Sequence, residues 1–314
     1  MSVNDVRDQL AASALERGDS TGAAAMSRRK RLSRRELYTR RFLRNRPAVA
    51  GLIIFVMIVL FSIFGGLPAK HSYLETDFLN LSAAPSADHW FGTNNAGNDL
   101  YAETVHGLQR SLIIALIVST GTTVISAVVG AAAAYFGGSF ERVVLGVIHF
   151  LMVVPTFLIL ALFSNRSGGS WIVIAVIMLL VNWFWPARVV WTLSLSIRER
   201  DYVSASRYMG VSGLRIVVRH IIPNIGSLLI IQFTLGVVGA VLSETGLSFI
   251  GFGVKPPDVS LGALIGSGAD TVSSAPWLFY FPAAALTLLT VSMALVSDGL
   301  RDAFDPTSAA GGRA

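Results

Sequence analysis

Residues 49–64 read Val-Ala-Gly-Leu-Ile-Ile-Phe-Val-Met-Ile-Val-Leu-Phe-Ser-Ile-Phe, and twelve of these sixteen side chains are Val, Ile, Leu or Phe. Each such residue at the centre of a helix favours insertion into a bilayer by about 0.3–0.6 kcal/mol, so the run contributes at most roughly 4–7 kcal/mol. With its flanks it covers 48–66, the ~20 residues that cross a hydrocarbon core. It begins too far along the chain, and is too long, for the 7–15-residue apolar segment of a cleaved leader, and no Ala-x-Ala site follows it. It reads as a membrane-spanning helix.

Five further stretches of this kind follow, at about 111–136, 143–163, 171–190, 225–243 and 276–297. Only 14% of the 314 residues are charged, against roughly 25% in soluble domains. Mean hydropathy is +0.61. Glycine, alanine, serine and threonine recur within the stretches (Gly121, Gly130, Gly236, Gly239, Ala283), which predicts a closely packed bundle. The fold class is therefore all-α, a polytopic membrane protein of six helices. The Lys and Arg residues orient it. Twenty-one fall in the arm before Pro47, the 137–142 loop, the segment from Arg188 to Asn224 and the tail; four fall on the other side. Cytoplasmic segments carry the excess of positive charge, so both termini are expected in the cytoplasm.

The segments divide as follows. Residues 1–35 form a basic arm, expected to be disordered over 1–27, with Arg28–Arg46 set against anionic lipid rather than nucleic acid. Residues 36–110 hold the first span and a long acidic outer loop from 67. Residues 111–306 form a five-helix core with an inner loop at 191–224, and 307–314 are a tail. Absences narrow the function. No Gly-x-x-x-x-Gly-Lys-Ser/Thr occurs, and none of the three lysines follows a glycine, so the chain makes no phosphate cradle of its own. With no cysteine there is no disulfide and no thiolate metal site. No metal-ligand set and no catalytic constellation is read from the sequence. The apolar cores of the six stretches contain no Asp or Glu, which speaks against an ion-coupled carrier. His149, Asn182 and Gln232 read as hydrogen-bonding groups inside the bundle.

The inner loop carries the most information: Arg198-Glu-Arg-Asp-Tyr-Val-Ser-Ala-Ser-Arg-Tyr-Met-Gly-Val-Ser-Gly-Leu-Arg-Ile-Val-Val-Arg-His-Ile-Ile-Pro-Asn224. It is too long for a plain connection between helices. Asp201 is placed to cap a short helix whose Tyr202, Ala205, Ser206 and Met209 share one face. Such a face suits a groove on a partner, or equally an interfacial position on lipid. Gly210 permits a sharp turn, and a second basic amphipathic segment leads through His220 to Pro223.

Ser204-Ala-Ser, Gly210 and His220-Ile-Ile-Pro223 resemble the "EAA" loop of ABC importer permeases. Arg40-Arg-Phe-Leu-Arg-Asn-Arg-Pro47, His89-Trp-Phe-Gly-Thr-Asn-Asn-Ala-Gly-Asn-Asp-Leu100, Leu242-Ser-Glu-Thr-Gly-Leu-Ser-Phe-Ile-Gly-Phe-Gly253, Ser274-Ala-Pro-Trp277 and Asp298-Gly-Leu-Arg-Asp-Ala-Phe-Asp-Pro306 are similar to the C-type permease subunit of dipeptide and oligopeptide importers. The resemblance spans about residues 36–306.

What the resemblance implies is a multi-pass permease of the cytoplasmic membrane that hydrolyses no ATP itself. A second permease, two ATPase subunits carrying ATP and Mg, an extracytoplasmic solute-binding protein and a peptide substrate are its implied partners. Asp201, Tyr202, Ala205, Ser206, Met209, Gly210, His220 and Pro223 then belong to the ATPase-coupling loop. Glu75, Asp77, Asp99, Glu103 and Glu244 are expected on the binding-protein side. The chain departs from the family pattern at Ser204, where a glutamate is usual, and at Asn94, Asn98, Ala102 and Glu103 in the outer motif. Nickel, glutathione or another small solute is the alternative cargo, and a secondary carrier or channel the alternative class.

Overall fold

The computed structural model describes residues 34–166 and 168–305. The expected disorder over 1–27, most of the basic arm and the tail 307–314 lie outside the described residues. The elements run α1 (Arg34–Arg44), α2 (Arg46–Phe64), α3 (Leu100–Phe136), α4 (Gly138–Val153), α5 (Thr156–Arg166), α6 (Trp171–Asn182), α7 (Phe184–Arg198) and α8 (Asp201–Tyr208). They continue with α9 (Gly213–Ile216), a π-helical turn (Val217–Ile221), α10 (Ile222–Asn224), α11 (Gly226–Phe249), α12 (Leu261–Ala269) and α13 (Trp277–Phe304). Among the described residues the only β-pairing is two isolated bridges in the loop before α3, Thr76 with Asn98 and Thr93 with Asp99.

Among the described residues, five helices are long and apolar enough to cross a membrane: α2, α3, α6 with α7, α11 and α13. The sixth expected span, 143–163, is two helices, α4 and α5, bent by 76° at their junction. Pro155 lies in that junction, where its ring and missing N–H end a helix. Hence the count is six only when the bent pair is one span.

Helix α2 presents its aliphatic side chains outward. Ile53, Val56, Met57, Leu60 and Ile63 are exposed, whereas Ala48 and Gly51 are buried against α13, and Ile58 and Ser62 are also buried, Ser62 beside Gln109 of α3. Burial of the small residues and exposure of the large apolar ones suits a solvent as apolar as the side chains themselves. The same inversion recurs on α4 and α5, where Val143, Val147, Phe150, Val153, Leu158 and Leu162 are exposed. His149 also lies on this exposed side rather than hydrogen-bonded inside the bundle.

Helix α3 is the axis. At 37 residues it is about 55 Å long, well beyond the hydrocarbon thickness. It packs against α7, α11 and α6, and the central core gathers Leu112, Ala115, Val118, Met178, Val237 and Val241 around it. The expected start at 111 falls eleven residues late. Asp99 caps the true start, its Oδ1 accepting from the Ala102 backbone N–H at 2.8 Å, and the polar side chains of Glu103, His106, Gln109 and Arg110 masked the first turns from a hydropathy reading. Helix α11 likewise runs past the expected 243 to Phe249. Glu103 and Glu244 thus lie in the extensions of α3 and α11, outside the apolar stretches, which themselves hold no Asp or Glu.

Helix α1 takes up part of the basic stretch and docks on the end of α13. Asn45 donates to Asp302 at 3.0 Å, Arg41 donates to the Asp305 carbonyl at 3.3 Å, and Tyr38 meets Phe304 edge to face.

Close backbone approach between α3 and α7 depends on Gly130, where a Cβ would lie 2.5 Å from the Ala187 carbonyl oxygen and 2.9 Å from Val190. Overpacking of this kind costs typically about 1–3 kcal/mol. Gly130→Leu should therefore lower the thermal midpoint of the detergent-solubilised chain, and Gly146→Leu, at an open position on α4, should leave it unchanged. Equal midpoints for both variants would show that this contact does not limit stability.

Candidate functional site

The segment between α7 and α11 folds into a compact element fastened to one end of the bundle. Helix α7 runs on to Arg198 instead of stopping near 190, so the span leads without a break to this element. There Arg198 donates from Nη1 to the Ala134 carbonyl at 2.7 Å and pairs with Glu199 at 2.9 Å. A cation at carbonyls in the last turn of α3 also complements the negative end of that helix. Beneath it, Val203, Ile216, Val217, Ile221 and Ile225 are buried with Ala131, Val190 and Ile197.

Helix α8 begins at Asp201, but Arg200 occupies the capping position and no side chain caps it. Asp201 acts instead from the first turn, beside the positive helix end. The buried face of α8 is Val203 and Ser206, with the Ser206 hydroxyl donating to the Tyr202 carbonyl at 2.8 Å. The exposed face is Tyr202, Ala205, Tyr208 and Met209. Ser206 therefore points inward where the sequence reading placed it outward. Tyr208, 89% exposed, is the residue that reading missed. Ser204, at the position of the family's glutamate, is half-buried, and Glu199 and Asp201 are the exposed acids nearby.

Gly210 ends the helix with φ +77. Its N–H donates to the Arg207 carbonyl at 3.0 Å, and the Val211 N–H donates to the Ser206 carbonyl at 3.2 Å. That pair of bonds is a Schellman turn, which needs one residue in the left-handed region. No side chain lies within 4 Å of where a Cβ would stand, so backbone strain alone opposes substitution. The chain then returns through α9 and the π turn. In that turn His220 lies 6.3 Å, ring to ring, from Tyr202. Pro223 is exposed and bounds, with Leu214, Arg215, Val218 and Arg219, a groove of about 570 Å³. Single π turns within helices occur frequently at functional sites.

A second feature lies inside the bundle. Thr122 and Thr123 of α3, Asn182 of α6 and Gln232 and Ser243 of α11 line a cavity of about 190 Å³. Gln232 donates to the Pro186 carbonyl across to α7 at 3.4 Å, as a helix–helix bond, while its own Oε1 is buried without a partner. Asn182 bonds only within its helix, to the Met178 carbonyl at 2.7 Å.

The five acids expected on the opposite face divide sharply. Glu75 is exposed and Asp77 partly so. Asp99, Glu103 and Glu244 are buried. Glu103 accepts from Asn94 at 2.9 Å, and the Asn94 side-chain oxygen in turn accepts from the N–H groups of Ala96 and Asn98. Glu244 accepts from Ser248 and Ser260, both at 2.6 Å, and so fastens the α11 end to the start of α12. It does not line the polar cavity. Nearby, Arg110 stacks on Trp171 at 4.8 Å and donates to Asp258 at 2.7 Å. Burial alone would raise the Asp258 carboxyl, but hydrogen bonds from Arg110 and His106, with the charges behind them, hold it below the usual carboxylate range.

This arrangement, an apolar-surfaced helix bundle with a polar internal cavity and a folded basic element at one end, is that of a polytopic transport subunit. Residues 126–309 match the family described as "Binding-protein-dependent transport system inner membrane component", and residues 33–85 match "N-terminal TM domain of oligopeptide transport permease C". The oligopeptide transport system permease proteins OppC of Mycobacterium tuberculosis and Mycobacterium bovis are each 46% identical over 280 residues, covering 88% of this chain and 96% of theirs. The Bacillus subtilis protein of the same name is 32% identical over 266 residues, covering 85% and 87%. The chain belongs to the family of binding-protein-dependent transport system inner membrane components.

Replacing Gly210 tests the turn. A left-handed backbone costs a non-glycine residue about 1–2 kcal/mol and a β-branched one more, while Asn tolerates it. Gly210→Val should insert normally into membranes yet lose protease resistance at the 199–225 element, and Gly210→Asn should retain it. Limited proteolysis of both variants in proteoliposomes is the measurement, and identical cleavage patterns would remove Gly210 from this role.

Proposed function

We propose that the chain is the transmembrane permease subunit of an ABC importer that carries oligopeptides or dipeptides into the cell, with both termini in the cytoplasm. The observation that carries this reading is the α8–Gly210–π-turn element. It is anchored in the bundle on one side and presents Tyr202, Ala205, Tyr208 and Met209 on the other. A rigid helix with two exposed aromatic rings and a flexible thioether suits a groove on a partner. Two ATPase subunits are that partner, and ATP and Mg reside in them. A second permease completes the pathway, and an extracytoplasmic binding protein delivers the peptide to the opposite face. Peptide cargo is supported by the relatives, which are named oligopeptide permeases.

In this reading α7 is the mechanical link. Closure of the ATPases moves α8, and α7 carries that movement into the bundle beside α3. The cavity at Thr122, Asn182 and Gln232 is the pathway wall, where the free Gln232 Oε1 accepts from a peptide N–H. Glu244 is held through one oxygen by two serine hydroxyls at the α11–α12 junction and does not line this cavity.

The chain contains no cysteine, so single cysteines report topology without background. Cysteine at position 75 should react with a membrane-impermeant thiol reagent in intact cells, and cysteine at 208 only after permeabilisation and only without bound ATPase. The isolated subunit should hydrolyse no ATP, and the ATPases should co-purify with it. Labelling at 208 from outside, or hydrolysis by the subunit alone, would overturn the reading. Gln232→Leu should reduce peptide uptake several-fold while leaving ATPase co-purification intact. Unchanged uptake would exclude this cavity from the pathway.

A further inference from the structure

The loop between α2 and α3 brings two histidines and several carboxylates together around a cavity of about 210 Å³ that His71, Asp77, His89 and Asp99 line. Ligand atoms of His71, Asp88 and His89 all lie within 4.8 Å of one another. The His71 Nε2 stands 3.4 Å from Asp88 Oδ2, and the His89 Nε2 stands 3.6 Å from Asp77 Oδ2. Both Nε2 atoms are buried and make no hydrogen bond. His89 itself is 3% exposed.

The orientation of His89 is fixed from behind. Its Nδ1 lies 2.9 Å from Asp99 Oδ2. That carboxylate can only accept, so Nδ1 carries the proton and Nε2 of the neutral ring is left with its lone pair. Asp99 is held in turn by its capping bond to α3. A carboxylate orienting an imidazole so that its other nitrogen faces inward is the outer shell found behind metal-bound histidines. His71 has the same arrangement in looser form, with Nδ1 at 3.8 Å from Glu75 Oε2.

The two rings stack with centroids 4.5 Å apart and an interplanar angle of 25°. With both rings neutral, two imidazole lone pairs point at carboxylate oxygens, and a single divalent ion would satisfy both nitrogens and both carboxylates. Metal–ligand bonds of about 2.0–2.1 Å in a tetrahedron put neighbouring donors about 3.3–3.4 Å apart, close to the two Nε2–carboxylate separations. Two neutral imidazoles and two carboxylates also balance a charge of +2.

We propose that His71, Asp88 and His89, with Asp77 beside them, form a binding site for a divalent transition metal of the zinc class on the outer loop of the permease. Imidazole nitrogens with carboxylate oxygens favour zinc over calcium or magnesium, which take oxygen ligands. Lys70 donates to the other Asp88 oxygen at 3.3 Å and to the Ala87 carbonyl at 2.7 Å, holding Asp88 from outside. Asp77 is fixed similarly, accepting from Asn80 at 2.7 Å and from the Leu79 N–H at 2.9 Å. The ion would tie the 71–77 segment to 88–99, the segment that ends in the cap of α3. The site does not depend on the cargo or on ATPase docking.

The test uses the full chain in lipid nanodiscs, purified without a histidine tag and stripped with a chelator. Zn2+ and, as a spectroscopic probe, Co2+ are then titrated. The expected result is one ion per chain, with the strong visible absorption of tetrahedral Co2+ and tight retention of Zn2+ through gel filtration. His71→Ala and Asp88→Asn, the latter at an exposed side chain, should weaken binding roughly 10–100-fold or more, with an unchanged thermal midpoint showing that the fold is retained. His106→Ala and His220→Ala should bind as the parent does. Absence of a stoichiometric ion in the parent chain would overturn the proposal. So would a Co2+ spectrum that survives in His71→Ala and Asp88→Asn.

Discussion

The packing of the alanine-rich end of α3 on α7 is the contact on which the rest of the molecule depends. Ala131, Ala133 and Ala134 are fully buried, and Gly130 meets the Ala187 carbonyl with no side chain between them. In a bilayer the lipid tails are as apolar as leucine, so helices associate through close contact and polar bonds rather than by expulsion of water. A stripe without bulk on α3 makes that contact possible. It also leaves the last carbonyls of α3 within reach of Arg198. The anchor of the α8 element is therefore a consequence of the same approach, and the aliphatic cluster from Val203 to Ile225 fills the space the two helices leave beneath it.

The opposite end is held by a different physics. There the backbone is irregular, and its polar groups must be satisfied one at a time. Asn94 serves two N–H groups and Glu103, Asp99 serves the α3 cap and His89, and Glu244 serves two serine hydroxyls. Asn94 and Asp99 stand in for missing backbone partners, while Glu244 joins α11 to α12 through serine side chains. The acidic look of the loop thus overstates how much negative charge it offers to a binding protein, since Asp99 and Glu103 are buried and spent on internal bonds.

Much of this was legible in the sequence. The first span, the α-helical class and the turn at Gly210 follow from hydropathy and from the one residue type that tolerates positive φ. Other features were hidden for identifiable reasons. The start of α3 lies behind charged side chains that a hydropathy window rejects, although Asp99 at a capping position marked it. The break at Pro155 falls inside a continuous apolar run, where only the proline itself speaks. On α8 the helical spacing admitted two faces, and burial of Val203 against the α7 cluster decides between them, turning Ser206 inward and Tyr208 out. The histidine cluster joins residues 71, 88 and 89 through a loop closure that no spacing rule describes, because the chain between them makes a wide excursion before it returns.

The two ends also differ in how far a disturbance can travel. The loop before α3 is cross-linked by short polar bonds, but they run mostly within the loop and into the first turns of α3. The α8 element instead joins α7 directly, and α7 lies against α3 along its length. A push on Tyr202 or Met209 is therefore passed through the short Glu199–Arg200 link and the packed Val203–Ile225 cluster to α7, which is stiff along its axis, while a push on the outer loop is absorbed by side-chain hydrogen bonds that can exchange for water. In a subunit whose proposed energy source docks at one end and whose cargo arrives at the other, that asymmetry places the rigid path on the side where force is applied and the adaptable surface where a soluble partner must land and leave.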